Sequence, residues 1–426
     1  MKKIYLILLI VFAFLSGSQA QVTVSGSTGA DGTYASLTQA AGAFAAINAA
    51  GSQAGNNILI TITADVATED GANQLNNGGW TTLTINPSGT RTLSGNVNTS
   101  MIRLSGAANV TIDGLNSGGN SLAISNTNIG ASAATITFAN GASSNTIQNC
   151  NILGSATNLG VIFFTTGTVT GNNNNLITQC NISASAGGNP TNAILSVGTS
   201  AVMPNSNNTI TVCNISDYFS AGSASTGINI NSNNSDWTIT NNALYQTATR
   251  TYTTANTHNG ILINSGAGYT INNNVIGFAA PNGTGTTNMI GYASGVFPGS
   301  GTFPTSYTPG GVANATRFVG INCFFAAGGA VSSIQNNTIG GIALYTSSGA
   351  STTFGLICGI AVTSGNANIG TVTGNTIGAV SGGSSIYAAS TTAGGVISGI
   401  YCTKKNTKNI QNNNIGGIDV SGTTAT

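Results

Sequence analysis

The sequence predicts an all-β fold, a right-handed single-stranded parallel β-helix (a solenoid) with an N-terminal capping helix. Three observations predict it. An aliphatic residue flanked by Thr and Asn recurs about every thirty residues, and a second motif, Gly-aliphatic-x-aliphatic, sits between its copies. Between those motifs no stretch carries helical spacing, which excludes βαβ folds and horseshoes with helices on one side. Composition agrees: hydrophobic residues are 40% of the chain and charged residues only 4%, with 59 glycines. That apolar fraction separates the chain from disordered Gly/Asn-rich sequences.

The elements follow in order. Lys2 and Lys3 precede an apolar run from Ile4 to Leu15, and Ser18-Gln19-Ala20 supplies the small residues a signal peptidase reads. Residues 1–20 therefore read as a signal peptide, too short in its apolar part to span a ~30 Å hydrocarbon layer. Residues 21–108 read as an N-terminal cap and first windings. Within Tyr34 to Ala50, the residues Leu37, Ala40, Ala41, Phe44 and Ile47 follow helical spacing, and that helix covers an otherwise bare sheet edge. Strand-like runs at Ile58 to Thr63, Thr81 to Ile85 and Asn109 to Ile112 lead into the repeats.

Residues 109–426 hold the repeats. The central aliphatic stands at Ile147, Ile177, Ile210, Ile239, Ile271, Ile334, Val372 and Ile410, at separations of 30, 33, 29, 32, 63, 38 and 38 residues. The long gap reads as a weaker rung plus an insertion at about 281–317. The second motif appears at Gly227-Ile228-Asn229-Ile230, Gly260-Ile261, Gly320-Ile321, Gly359-Ile360 and Gly399-Ile400. Strands this short bury a face only by stacking on their counterparts at ~4.8 Å, with right-handed crossovers. Asn149, Asn242, Asn274, Asn337, Asn375 and Asn413 read as stacked bend residues, because Asn tolerates left-handed backbone and its amide bonds its neighbours above and below. The strong final copy, Gln411 to Ile418, lacks a capping pattern, so the chain reads as cut from a longer one.

Cys150, Cys180 and Cys213 each lie three residues after the repeat Ile, and Cys323 and Cys402 replace an aliphatic of the second motif. They read as buried free thiols, although an exported protein admits disulfides.

The repeated Asn-x-Ile-x-Asn-Asn and the run Asn109-Val110-Thr111-Ile112-Asp113-Gly114 resemble the pectin-lyase-like superfamily, and within it the Asn/Gly-rich β-helix repeat proteins exported to bacterial surfaces. The resemblance covers residues 21–426. It implies the fold and not the activity, since that superfamily holds lyases, hydrolases, tailspikes and adhesins.

Little in the sequence carries chemistry. Hydrolases of that superfamily need two carboxylates about 5–10 Å apart, and Asp217 and Asp236 fall in different parts of their repeats. Calcium needs several charged oxygens, and the tight acidic group is Asp65, Glu69 and Asp70, in the capping region. Asp113 reads as a turn former before Gly114. No cofactor, metal site or catalytic residue is expected. Nine basic residues less Lys2 and Lys3 leave seven, with one cluster at Lys404, Lys405 and Lys408, so nucleic acid is not an expected partner.

Candidate ligand-binding residues are Arg250, Tyr252 and the sole histidine, His258, on one loop, with the insertion aromatics Tyr292, Phe297, Phe303 and Tyr307. These aromatics either stack on sugar rings or pack down onto the rod. Thr flanks the repeat aliphatic often enough (Thr209, Thr211, Thr238, Thr240, Thr371, Thr373) to suggest an outward Thr ridge. The expected function is that of a secreted or cell-surface, non-catalytic protein: an adhesin, scaffold or binder of polysaccharide or cell-surface glycan. The alternatives are a polysaccharide lyase or glycoside hydrolase, and ice or crystal binding by the Thr ridge.

Overall fold

A computed structural model describes residues 21–297, 307–349, 354–379, 385–392, 394–403 and 405–422. The expected signal peptide, Phe303 and Lys404 lie outside the described residues. Among these residues nearly all regular structure is parallel β-strand, in three long sheets and a shorter one. Sheet A has 13 strands and runs from Gly32–Tyr34 to Lys408–Ile410. Sheet B has 10, from Thr90–Gly95 to Asn414–Gly416, and sheet C has 10, from Leu75–Asn76 to Ile397–Cys402. The chain visits C, A and B in that order in each repeat, an arrangement that fits a β-helix-like solenoid. No helix among the described residues is long and apolar enough to cross a membrane.

The repeat aliphatics stack in register. Ile60, Ile85, Ile112, Ile147, Ile177, Ile210, Ile239, Ile271, Ile334 and Ile369 form one buried column of sheet A. Sheet B contributes Ile124, Ile152, Ile182, Ile215, Leu244, Ile276, Ile339 and Ile377, and sheet C adds Ile136, Ile162, Ile194, Ile228, Ile261, Ile321 and Ile360. β-Branched side chains suit both the strand backbone and such like-on-like packing.

The second motif begins with Gly for a reason of space. A Cβ at Gly260, Gly320 or Gly359 would lie 2.6, 2.9 or 2.7 Å from the methyl of Ile276, Ile339 or Ile377 on sheet B. The facing isoleucine occupies the room that a side chain would need.

The bend between sheets A and B is bound by an amide ladder. Nδ2 of Asn242, Asn274, Asn337 and Asn375 donates to Oδ1 of the next member at 3.0, 3.0, 2.9 and 2.8 Å, ending on Asn413. Each of these amides also donates to a backbone carbonyl, as Asn274 does to Ile239 at 2.8 Å. The same column begins as thiols: Cys213 N–H donates to Asn242 Oδ1 at 3.0 Å, and Cys180 and Cys150 precede it. All six cysteines are free thiols, and burial pushes Cys323 up and Cys358 up to about 12. A second ladder, Asn145–Asn175–Asn208, binds the entry to sheet A at 2.9 and 3.0 Å.

Four expectations need correction. Asn149 is not in the ladder; it stands one residue earlier, at φ 56°, where Gln179, Val212, Asn241, Asn273 and Asn336 also adopt positive φ. Val372 is not a rung but is 84% exposed, and Ile369 takes the place. Extra residues before Asn375 bulge out there, clamped where Gln335 Oε1 accepts the N–H groups of Val372 and Thr373 at 3.0 and 3.3 Å.

The long gap holds no additional sheet A rung, because Ile271 pairs with Ile334 directly. Its extra length builds Thr287–Ile290 of a fourth, five-stranded sheet D and a hairpin of Tyr292–Val296 with Thr308–Ala313. Finally, the N-terminal helix spans only Ala43–Ala49, burying Phe44 and Ile47, while Ala40 and Ala41 are exposed. Leu37 and Thr38 sit in a turn whose N–H groups bond the buried Glu69 carboxylate at 2.7 and 2.8 Å, so they are unavailable to a helix.

Candidate functional site

The expected Arg250, Tyr252 and His258 do come together, but inside the protein. Arg250 is drawn there by Asp217, with which it forms an ion pair, and its Nε donates to Gln246 Oε1 at 2.7 Å. Its guanidinium carbon lies 5.2 Å from the centre of the Phe219 ring, within cation–π range. Asp217 also accepts from Thr247 N–H and hydroxyl at 2.9 Å. Tyr252 packs edge-on against Phe219 at 5.3 Å and lies 4.0 Å from the His258 ring. All three expected residues are buried, His258 at 2% exposure.

His258 Nδ1 accepts the Ser225 N–H at 3.1 Å, with the Ser225 hydroxyl 2.8 Å away. Accepting a backbone N–H fixes the neutral tautomer with its proton on Nε2. Burial lowers the pKa to about 3. Nε2 is buried without a partner, beside a cavity of about 20 Å³ that Tyr218, Gln246, Met289 and Phe318 help to line. That volume holds about one water molecule. The cluster braces the start of sheet D against sheet C, and at this size it offers no room for a sugar.

The insertion aromatics gather on the outside of sheet D. Tyr292 is buried, with its hydroxyl bonded to the Thr346 carbonyl, whereas Phe297 and Tyr307 are part-exposed. Phe297 meets Tyr345 at 5.1 Å and Tyr307 meets it at 5.2 Å, both edge-on. The rings mostly pack on one another and on Tyr387 to form a satellite core. The expected Thr ridge exists as a column of Thr146, Thr209, Thr238 and Thr270, but Leu176 and Ser333 share it, and Thr371 and Thr373 lie elsewhere.

The acids are held apart. Asp65 accepts the Thr92 N–H at 2.8 Å, Glu69 faces Leu37 and Thr38, and Asp70 accepts the Ala72 N–H at 2.9 Å. Asp113 bonds the Leu115 N–H at 2.8 Å, the turn expected there. Among the described residues no three His, Cys, Asp or Glu converge as a metal site.

A roomier surface site lies on the outer face of sheet C. Phe163, Leu195 and Asn229 occupy one outward column in adjacent repeats. With Asn158, Thr191, Asn192 and Asn231 they line a groove of about 390 Å³. Asn229 Nδ2 donates to Asn192 Oδ1 at 3.1 Å, and Asn322 repeats the bond to Asn259 at 3.0 Å two repeats on. The sequence reading missed this groove. Its signal was the x of Gly-aliphatic-x-aliphatic, which alternation turns outward.

No family model matches the chain, and no curated protein matches it. Among solved structures the chain is similar to one titled "Crystal structure of Agl-KA catalytic domain", at 12% identity and a TM-score of 0.23. The match covers 85% of this chain and 61% of that one, so the chain spans less than two thirds of its length. A likeness at that TM-score carries no argument about this chain's fold family or activity.

Proposed function

We propose that this chain is an exported, non-catalytic rod that binds neutral polysaccharide along the outer face of sheet C. In this reading the repeats wind as a closed right-handed β-helix of the pectin-lyase-like kind, and the helix Ala43–Ala49 with its neighbouring hairpin caps the first winding. Export rests on the Lys2-Lys3 and Ile4–Leu15 pattern.

The observation that carries the binding reading is the groove itself. It sets a part-exposed ring, Phe163, and the aliphatic Leu195 among side-chain amides and hydroxyls, without a charged side chain in its lining. Aromatic and aliphatic surface suits the apolar faces of sugar rings, and amides suit their hydroxyls. The ladders make the groove rigid before binding, which lowers the ordering cost of association. The non-catalytic reading is supported by Asp217, whose carboxylate is committed to Arg250 and Thr247 and so is not free to act in an acid–base pair with Asp236.

The test is retention on a panel of insoluble neutral polysaccharides (cellulose, xylan and mannan) together with an assay of the supernatant. At least one member should retain the native chain, and Phe163→Ala should weaken that retention about tenfold at an unchanged melting temperature. Retention of neither protein by any member would sink the proposal. Release of reducing ends or unsaturated products, with or without calcium, would replace it with the lyase or hydrolase reading.

A further inference from the structure

A second pocket opens on the same face of sheet C, near its first strands. Asn48 from the helix, Gly71 to Gln74 from a loop, Asn76 from the strand that follows it, and Thr99, Ser100 and Arg103 at the next strand line about 430 Å³. This size falls in the range of small-ligand clefts.

Its walls are held in place. Asn73 donates from its backbone to the Thr38 carbonyl and from its side chain to the Gln39 carbonyl, both at 2.8 Å. Asn48 Nδ2 donates to the Gln74 carbonyl at 2.8 Å, and its Oδ1 accepts the Asn76 N–H at 3.1 Å. Gly71, at φ 68°, brings the loop so near the strand that a Cβ would lie 2.4 Å from the Ser100 carbonyl oxygen.

The charge in the pocket is unanswered. Arg103 stands in the outward column, paired in register with Thr137, and is part-exposed. Its Nε is buried with no acceptor, and it forms no ion pair with any described residue. A guanidinium offers five donors in a planar fork that matches a carboxylate. The nearby acids are committed elsewhere: Glu69 to Leu37 and Thr38, and Asp70 to the turn at Ala72. In a chain with 4% charged residues, a lone cation in a preformed polar pocket is a conspicuous departure.

We infer that this pocket binds a sugar acid, with the carboxylate on Arg103 and the ring hydroxyls on the surrounding amides and hydroxyls. The inference rests on the carbohydrate-binding reading above and extends it. The outward column runs from Arg103 through Thr137, Phe163 and Leu195 to Asn229. Those four steps amount to roughly 19 Å at the strand spacing. Thr137 between the two sites is buried, so Arg103 and the groove form two separate sites on one face.

The experiment is calorimetric titration of the full chain with trigalacturonate, its methyl ester and galactotriose at low salt. The acid should bind at least tenfold more tightly than either neutral trimer. Arg103→Gln should erase that preference and Arg103→Lys should restore part of it, with melting temperature reporting that each variant folds. Equal affinity for the acid and its methyl ester on the native chain would overturn the inference without any variant. Persistence of the preference in folded Arg103→Gln would overturn it too. Neutral-glycan binding left unchanged in folded Phe163→Ala, with the acid preference intact, would instead sink the groove reading and leave Arg103 as the site.

Discussion

His258 shows how a residue that looks chemical in a sequence becomes a stability element in the fold. Its Nδ1 is occupied by Ser225, its ring faces Tyr252, and its pKa falls from 6.5 to about 3 because burial disfavours the charged form. As pH falls, the unfolded chain therefore takes up a proton before the folded chain does. The contribution is fully present above pH 6.5 and is lost progressively as pH falls towards 3. His258→Asn keeps an acceptor for Ser225 and cannot titrate. Denaturant unfolding should show the native chain losing about 1.4 kcal/mol per pH unit relative to this variant across that window. Parallel curves for the two proteins would exclude the linkage. Since the chain has a single histidine, no other imidazole contributes to the difference.

At the scale of the element, position within the winding decides what each side chain is for. The residue before the ladder position takes left-handed backbone in every repeat except at Gly374, where the bend is lengthened; Asn and Gln fill most of these places, but Val212 does so at φ 55°. A β-branched residue is poorly suited to that region, by about 1–2 kcal/mol. Val212 is also 52% exposed, so little packing is lost on replacing it. Val212→Asn should therefore raise the melting temperature by a few degrees, and a lower value would show that the valine side chain contributes more than its backbone costs.

The same logic explains what the sequence made legible. Ile147, Ile177, Ile210 and Ile239 could be aligned by spacing, because a parallel in-register column requires the same residue type at each step. Val372 carries the repeat signature, with Thr371 and Thr373 on either side and Asn375 three residues on, but the bulge held by Gln335 lengthens that one bend and turns it outward. Asn149 stands one residue from the ladder, because two adjacent positions both favour Asn, one for its backbone and one for its amide. Arg250, Tyr252 and His258 were legible as neighbours. Their burial was not, since it depends on sheet D, whose strands carry no repeat signature. The outer groove was hidden because it is assembled from one residue per repeat.

The whole molecule is held together almost without charge. Its core is one continuous apolar cluster from Val22 to the last repeats, bound at the bends by neutral amides. Surface ion pairs, the interactions that salt screens, contribute little here. The melting temperature should accordingly move by no more than about two degrees between 0.05 and 1 M sodium chloride in scanning calorimetry, once the general salting-out trend of a neutral reference protein is subtracted. A larger fall would point to an electrostatic contribution beyond the Arg250–Asp217 pair.

Ile271 rests directly on Ile334 although 63 residues separate them, about twice an ordinary winding, and the intervening hairpin of Tyr292–Val296 and Thr308–Ala313 leaves that stacking undisturbed. The paired strands of the hairpin are thus a natural splice point. A foreign peptide grafted there would be displayed at a fixed height on the shaft, and tandem grafts at successive bends would be ruled like marks on a measuring stick.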